Sequence, residues 1–219
     1  MGKMRFFCFL LGCVLLTMGC ASAEDRGPST LSRQQGATIE SLKNEILRLN
    51  EELDETSGLR AILLQEKPKI EKLLAPQITR GDVLLEMDSR GLVVTVLDHA
   101  LFDPDETQFT PAGEETLGKI ASVLSGPLQK NRVELEGHTD SQPIEGSDGV
   151  TNWEYSIGRA AAVLHYFTDT QTLEPSRFGV TGYAEYRPRA SNDNEQGRDR
   201  NRRVEIVITP QKVPHALGL

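Results

Sequence analysis

The first pattern along the chain is helical. Apolar residues recur at alternating spacings of three and four, namely at Ile39, Leu42, Ile46, Leu49 and Leu53. This spacing places them on one stripe of an amphipathic helix. We predict a helical segment over residues 36–75. The apolar stripe could pair with a second copy of the chain in a homodimeric coiled coil or with another envelope protein. Alternatively, the helix is a spacer whose stripe packs on its own domain.

A second pattern begins at Asp82. Two short runs of aliphatic residues, Val83–Met87 and Leu92–Leu97, flank a polar stretch that ends at Gly91. Runs of this length around a polar turn are typical of a β-hairpin, and Gly91 can adopt a positive φ there. The globular domain is therefore predicted to begin near residue 80.

Beyond the hairpin, helical and strand-like patterns alternate. The predicted segments are helices over 112–124 and 152–167 and strands over 132–136, 178–183 and 204–208. Strands and helices in this order predict a two-layer α/β sandwich of the α+β type with a mixed sheet. The predicted domain spans residues 80–210 and leaves a tail over 211–219.

The N-terminus has the three-part layout of a secretory signal. Basic Lys3 and Arg5 precede an apolar run over residues 6–16, and small residues surround the predicted cleavage position. The run is shorter than the roughly 20 apolar residues that a spanning helix needs. We therefore predict that residues 1–19 form a signal peptide and that the chain is exported.

The cleavage position decides how the exported chain is held. Cys20 closes the apolar run where the lipid-bearing cysteine of a bacterial lipoprotein stands, which predicts acylation of Cys20 and a linker over residues 20–35. Cleavage after Ala23 is the alternative, and it would release a soluble periplasmic protein. The other two cysteines lie inside the signal, so neither a disulfide nor a cysteine metal site is expected.

Charge narrows the possible partners. The 219 residues carry a net charge of −8, and removal of the signal makes the chain more negative still. An acidic chain without a basic patch argues against nucleic acid as a partner. The four histidines are scattered along the sequence, so no metal centre or cofactor site is predicted.

One acid and one base stand out as candidate binding residues. Asp140 follows a predicted strand end, and Arg159 lies in the second turn of the next predicted helix, whose N-terminus Asn152 is placed to cap. A carboxylate and a guanidinium held apart would suit a zwitterion, with the acid accepting from an ammonium and the arginine holding a carboxylate. The same two residues also fit an ordinary internal salt bridge.

Several separated motifs resemble one family, the OmpA-like (OmpA/MotB) peptidoglycan-binding domain, and most of all its MotB-type and Pal-type members. The matching stretches are LEGHTDSQPI, NWEYSIGRAAAVLHYF, LEPSRFGVTGYAEYRP and GRDRNRRVEIVI. The resemblance implies a βαβαββ mixed sheet with helices on one face, preceded here by the N-terminal helical segment. Tyr155 stands where leucine is usual, and we expect it not to touch the charged pair.

The resemblance also implies a ligand and a set of site residues. By motif, Asp140, Arg159 and Asn152 fall on the positions that bind the diaminopimelate of the peptidoglycan stem peptide. Four further residues flank that site with weaker matches, namely Thr139, Phe102, Asp103 and Arg202.

The expected function is noncovalent peptidoglycan binding without catalysis. A lipid on Cys20 would hold the chain at the periplasmic face of the outer membrane and tether that membrane to the wall. One alternative is an accessory or scaffold role in a motor, secretion or transport machine, with residues 39–53 recruiting a partner. Another is a wall hydrolase using Asp140 or Glu136.

Overall fold

The computed structural model describes residues 30–103, 108–144 and 150–212. The predicted signal peptide, Cys20, most of the predicted linker and the end of the tail lie outside these ranges. No helix within them combines the length and apolar content needed to cross a bilayer.

Helix α1 spans Thr30–Leu73. It begins six residues earlier than predicted, inside the expected linker, and it continues through Gly58 and Pro68. Chain contacts divide the protein into two units after Leu47. In the first unit, the apolar side chains of α1 are exposed, namely Ile39, Leu42, Ile46 and Leu47.

In the second unit, α1 changes from an exposed helix to a packed one. Leu49 and Leu53 are exposed, whereas Leu63 and Ile70 of α1, and Leu74 directly after it, are buried in the main core. An interior proline removes one helical hydrogen bond and normally kinks or breaks a helix. The buried leucine and isoleucine side chains on both sides of Pro68 offset that cost, which explains why the helix does not stop there.

Five strands form one mixed sheet in the order β1-β2-β5-β3-β4. The strands are β1 (Val83–Met87), β2 (Leu92–Leu97), β3 (Asn131–His138), β4 (Phe178–Gly182) and β5 (Arg203–Lys212). The pairs are antiparallel except for β3 and β4, which run parallel. The hairpin bounds match the prediction, and Gly91 has a φ of 144° in its turn.

The helices supply the second layer. They are α2 (Ala75–Arg80), α3 (Asp98–Leu101), α4 (Pro111–Ser125), α5 (Asn152–His165) and α6 (Glu195–Asn201), with a single π turn after α5. Leu117, Ile120 and Leu124 of α4 and Val163 of α5 share one buried cluster with the inward side chains of the sheet. The predicted two-layer fold class is confirmed, whereas the short helices α3 and α6 were missed.

Helix α5 approaches β3 closely at Gly137. A Cβ at this position would lie 1.9 Å from the carbonyl oxygen of Ser156. Only a residue without a side chain permits this approach, which sets the spacing between the two elements that carry Asp140 and Arg159.

We expect Gly137→Ala to lower the free energy of unfolding by about 1–3 kcal/mol, because the methyl group overpacks rigid backbone. Gly158→Ala is the matched control, since nothing lies within 4 Å of its Cβ position and alanine is the better helix former by about 0.5–1 kcal/mol. Urea unfolding of both variants measures the difference. Equal stability of the two would show that the approach is not rigid.

The sheet face opposite the core carries a charged network. Alternation along the strands places Glu136 of β3 and Glu205 of β5 on this face, directly opposite one another in register. Like charges in this position repel. Arg90 bridges them, with Nη1 2.6 Å from Glu136 Oε2 and Nη2 2.8 Å from Glu205 Oε2. Arg203 and Arg189 also donate to Glu205, at 2.7 and 2.9 Å.

His138 lies in the same network, and neither of its ring nitrogens has a hydrogen-bond partner among the residues that the structure describes. Burial lowers its pKa to about 3, and the positive charges of Arg203 and Arg187 act in the same direction. His138, Glu136 and Glu205 each have a potential metal-ligating atom, and these three atoms lie within 4.8 Å of one another. The sequence analysis missed this group. Arginines already occupy both carboxylates, so a cation would have to displace them.

The depressed pKa of His138 predicts an acid sensitivity. The free energy of unfolding is highest above pH 6.5, the ordinary pKa of histidine, and falls as the pH drops towards the folded pKa of about 3. The reason is that over this range His138 binds a proton in the unfolded chain but not in the folded chain. At pH 5.5 the expected loss is on the order of 1 kcal/mol relative to pH 7.5. Urea unfolding across this range should show the slope, and His138→Gln should remove it. An unchanged slope in the variant would assign the sensitivity to another group.

Candidate binding site

A cavity of about 660 Å³ opens where β3, α3, α5 and α6 meet. Five of the seven predicted site residues line it, namely Phe102, Asp103, Thr139, Asp140 and Arg202. Asn152 and Arg159 do not line the cavity but contact residues that do. The structure therefore brings all seven residues to one place in the fold.

Asp140 follows β3 by two residues and is buried. Its Oδ1 accepts from the backbone N–H of Gln142 at 2.8 Å, and its Oδ2 accepts from Arg202 Nη1 at 2.6 Å. Thr139, also buried, fixes the backbone here: its Oγ1 donates to the Asp140 carbonyl and its N–H donates to the Ala184 carbonyl, both at 2.9 Å. The carboxylate is thus held in one orientation at the cavity wall.

Arg159 on α5 is 2% exposed. Its guanidinium carbon lies 4.0 Å from the centroid of the Phe102 ring and 4.7 Å from that of Tyr155, and Nη2 donates to the Tyr155 hydroxyl. Nη2 also lies 3.4 Å from Asp98 Oδ2. Nε and Nη1 have no hydrogen-bond partner among the described residues. Buried N–H groups of this kind cost free energy until something accepts from them.

The internal salt bridge that the sequence left open is not formed. Among the described residues, Asp140 pairs with Arg202 and Arg159 pairs with Asp98. The acid and the base therefore lie at one site with separate partners. Tyr155 was expected to leave the charged pair alone, and this was wrong, because its hydroxyl contacts Arg159.

Asn152 is not the cap of α5. The cap is Thr151, whose side chain accepts from the backbone while Glu154 reaches back to the Thr151 N–H, a capping box. Asn152 is the first helical residue instead. Its Nδ2 lies 3.3 Å from the Asp140 carbonyl and 3.1 Å from Glu185 Oε2, and its buried Oδ1 has no hydrogen-bond partner in the described part of the chain.

The cavity is acidic. Asp98, Asp103, Asp140, Glu195 and Asp199 line it, against the single arginine Arg202. Burial raises the pKa of the Asp98 carboxyl, although the charges of Arg159 and Arg202 oppose that rise. An excess of carboxylates favours a ligand that presents a cation, while the unsatisfied N–H groups of Arg159 favour a ligand that also presents an acceptor.

Sequence reasoning missed Asp98, His99, Glu195 and Asp199, which also line the cavity. Asp98 and His99 directly follow a strand, a position that could have marked them as candidates. Glu195 and Asp199 lie on α6, which the sequence analysis treated as a loop. Asn194 capping the N–H of Gly197, followed by Glu195 in the first turn, is the signal that would have revealed this helix.

Comparison with known proteins identifies the family. Residues 101–202 match the OmpA family. The outer-membrane lipoprotein YfiB of Pseudomonas aeruginosa is 31% identical over 145 residues, which cover 66% of this chain and 83% of YfiB. The chain belongs to the OmpA family.

Two further relatives show the range of proteins that carry this OmpA-family domain. Motility protein B of Bacillus subtilis is 31% identical over 66% of this chain, and the match spans 55% of the motility protein's own length. The cell wall anchor of the T6SS from Pseudomonas aeruginosa has a solved structure that superposes with a TM-score of 0.58 and 30% identity, covering 67% of this chain and all of that one.

Proposed function

We propose that the chain binds peptidoglycan noncovalently, through the zwitterionic end of a diaminopimelate residue in the stem peptide. The observation that carries this proposal is that the buried carboxylate of Asp140 at the cavity wall and the buried guanidinium of Arg159 lie at one site, with Nε and Nη1 of Arg159 lacking a hydrogen-bond partner among the described residues. The ligand ammonium would share Asp140 with Arg202, and the ligand carboxylate would accept from the guanidinium of Arg159, whose Nε and Nη1 have no hydrogen-bond partner among the described residues. Each such contact contributes about 1.5–3 kcal/mol net.

The OmpA-family relatives support a wall-binding role. One similar structure is titled a cell wall anchor, and one relative is named an outer-membrane lipoprotein. We extend both to this chain: the mature protein would begin at Cys20, carry a lipid there and tether the outer membrane to the wall. Residues 36–75 would act as the spacer and residues 80–210 as the wall-binding domain.

Cosedimentation with purified diaminopimelate-type peptidoglycan tests the proposal. Residues 24–219 should sediment with the wall, and Asp140→Asn and Arg159→Lys should each leave most of the protein in the supernatant. Arg132→Lys is the matched control, because Arg132 pairs only with nearby Glu134 among the described residues. Sedimentation of all variants alike would show that the site lies elsewhere, and a wild-type protein that stays soluble would refute wall binding.

A second candidate function is positioning a larger envelope machine. The observation that favours it is the exposure of Ile39, Leu42 and Ile46 on α1, together with relatives that serve a motor and a secretion system. A deletion of residues 36–53 separates the two functions, since it spares Leu63, Ile70 and Leu74 in the core. If the protein is a tether, the shortened protein should still bind the wall and still hold the membrane. If it is a scaffold, the shortened protein should bind the wall but no longer bind its partner.

A further inference from the structure

Two aromatic side chains stack on the surface beside the candidate site. Trp153 is 44% exposed and Tyr186 is 65% exposed, with ring centroids 5.3 Å apart and planes inclined by 25°. Ile157, one turn further along α5, is 45% exposed. Large apolar side chains grouped on a surface usually mark a contact site. Neither ring has a role in the clamp of Asp140 and Arg159.

The aromatic pair is joined to the clamp by hydrogen bonds. Asn152 and Glu185 precede Trp153 and Tyr186 in the chain, and Asn152 Nδ2 donates both to Glu185 and to the Asp140 carbonyl. The Ala184 carbonyl accepts from the N–H of Thr139, next to Asp140. The residues that precede Trp153 and Tyr186 are therefore hydrogen-bonded to Thr139 and Asp140, which line the cavity.

The turn that presents Tyr186 is held rigidly. Ala184 has a φ of 47°, a left-handed conformation that costs a residue with a side chain about 1 kcal/mol or more. Its N–H donates to Ser156 Oγ at 3.1 Å, so α5 and β3 both fix this turn. Ser156 is thus a structural residue that supports the turn before Tyr186.

From these observations we infer that Trp153 and Tyr186 form a subsite for the N-acetylated sugar rings of the glycan strand, next to the clamp for the stem peptide. This inference rests on the proposed function. The axial C–H groups of a pyranose ring form an apolar face that packs flat on an exposed aromatic ring. A stem peptide of three residues spans roughly 10 Å, so a sugar lies within reach of a surface adjoining the peptide site. Asn152 directly precedes Trp153, and its Oδ1, which has no hydrogen-bond partner among the described residues, is an acceptor that a sugar amide or hydroxyl would satisfy.

The sequence provides a direct reporter, because Trp153 is the single tryptophan of the chain. Three probes are titrated into the protein: the diaminopimelate stem peptide alone, the same peptide on its disaccharide, and glycan strands stripped of peptide. We expect the two sugar-bearing probes to shift the tryptophan emission and the bare peptide to leave it unchanged. Calorimetry should show the disaccharide peptide binding about tenfold more tightly than the peptide alone, or about 1.4 kcal/mol.

Trp153→Ala and Tyr186→Ala should each abolish the tenfold gain and retain wild-type affinity for the bare peptide. Leu84→Ala is the control, since Leu84 is comparably exposed at the opposite edge of the sheet. Equal affinity of the wild type for both peptides, or an unchanged gain in both aromatic variants, overturns the sugar subsite and leaves the clamp intact. If the bare peptide fails to bind while stripped glycan still shifts the emission, the clamp fails and the subsite stands.

Discussion

Glu205→Gln is expected to destabilise the protein by about 3–5 kcal/mol, the cost of removing one partner from a buried ion-pair network. Glu205 is 2% exposed and accepts from Arg90, Arg189 and Arg203. Glutamine would leave these three guanidinium groups close together without the charge that neutralises them. Strands β2, β5 and β3 meet at this network, so the loss should lower the stability of the whole sheet. Urea unfolding at pH 7 measures it.

Glu134→Gln is the matched control, because Glu134 lies on the same face of β3 but pairs only with Arg132 among the described residues. Partly exposed pairs of this kind contribute about 0–1 kcal/mol. A Glu205→Gln protein within 1 kcal/mol of the wild type would show that the arginines redistribute onto Glu86, Asp88 and Glu136.

The pH dependence gives an independent measurement of the same network. Burial alone would raise the pKa of Glu205, but Arg203, Arg90 and Arg189 outweigh it and hold the pKa at about 2, below the ordinary 4.5. A depressed carboxyl pKa stabilises the fold above the unfolded value and loses that contribution as the pH falls through the folded value. The wild type should therefore lose stability between about pH 4.5 and 2, and Glu205→Gln should be flatter there.

The fold could be predicted where local pattern and tertiary packing agree. The hairpin Val83–Met87 and Leu92–Leu97 was placed correctly because both strands are short apolar runs and Gly91 supplies the turn. Helix α1 could not be bounded in the same way. Gly58 and Pro68 indicate breaks, yet distant contacts of Leu63 and Leu74 keep the helix intact.

The sequence predicted seven residues that lie together at the cavity, but it missed Asp98, His99, Glu195 and Asp199 and did not predict which side chains pair. Motif placed Asp140 and Arg159 together, whereas the partners of each, Arg202 and Asp98, depend on how α6 and α3 approach β3. When two side chains come from separate elements, the spacing of the residues in the sequence does not indicate that they pair. The same reason explains why the network of Arg90, Glu136 and Glu205 was missed, since its members come from one turn and two separate strands.

If Asp140 and Arg159 bind the two ends of diaminopimelate, a substitution of either residue should affect only one end of the ligand. Asp140→Asn should weaken a diaminopimelate stem peptide by about 10–100-fold, the loss of one charge-assisted contact. Arg159→Lys should weaken it by a similar factor, because lysine keeps the charge but loses the planar guanidinium and its fixed arrangement of N–H donors. The double variant should lose both contacts and fall below detection in calorimetry.

Modified ligands decide which contact each residue makes. Acetylation of the side-chain amine of diaminopimelate removes the ammonium, so wild type and Asp140→Asn should bind this ligand equally while Arg159→Lys still weakens it. Amidation of the side-chain carboxylate should reverse the pattern: Arg159→Lys should bind this ligand as well as the wild type does, and Asp140→Asn should bind it more weakly. If Asp140→Asn weakened the acetylated and free-amine ligands by the same factor, Asp140 would act through Arg202 or the fold rather than on the ammonium. The clamp would then reduce to its arginine half, with the ligand carboxylate as the group that it recognises.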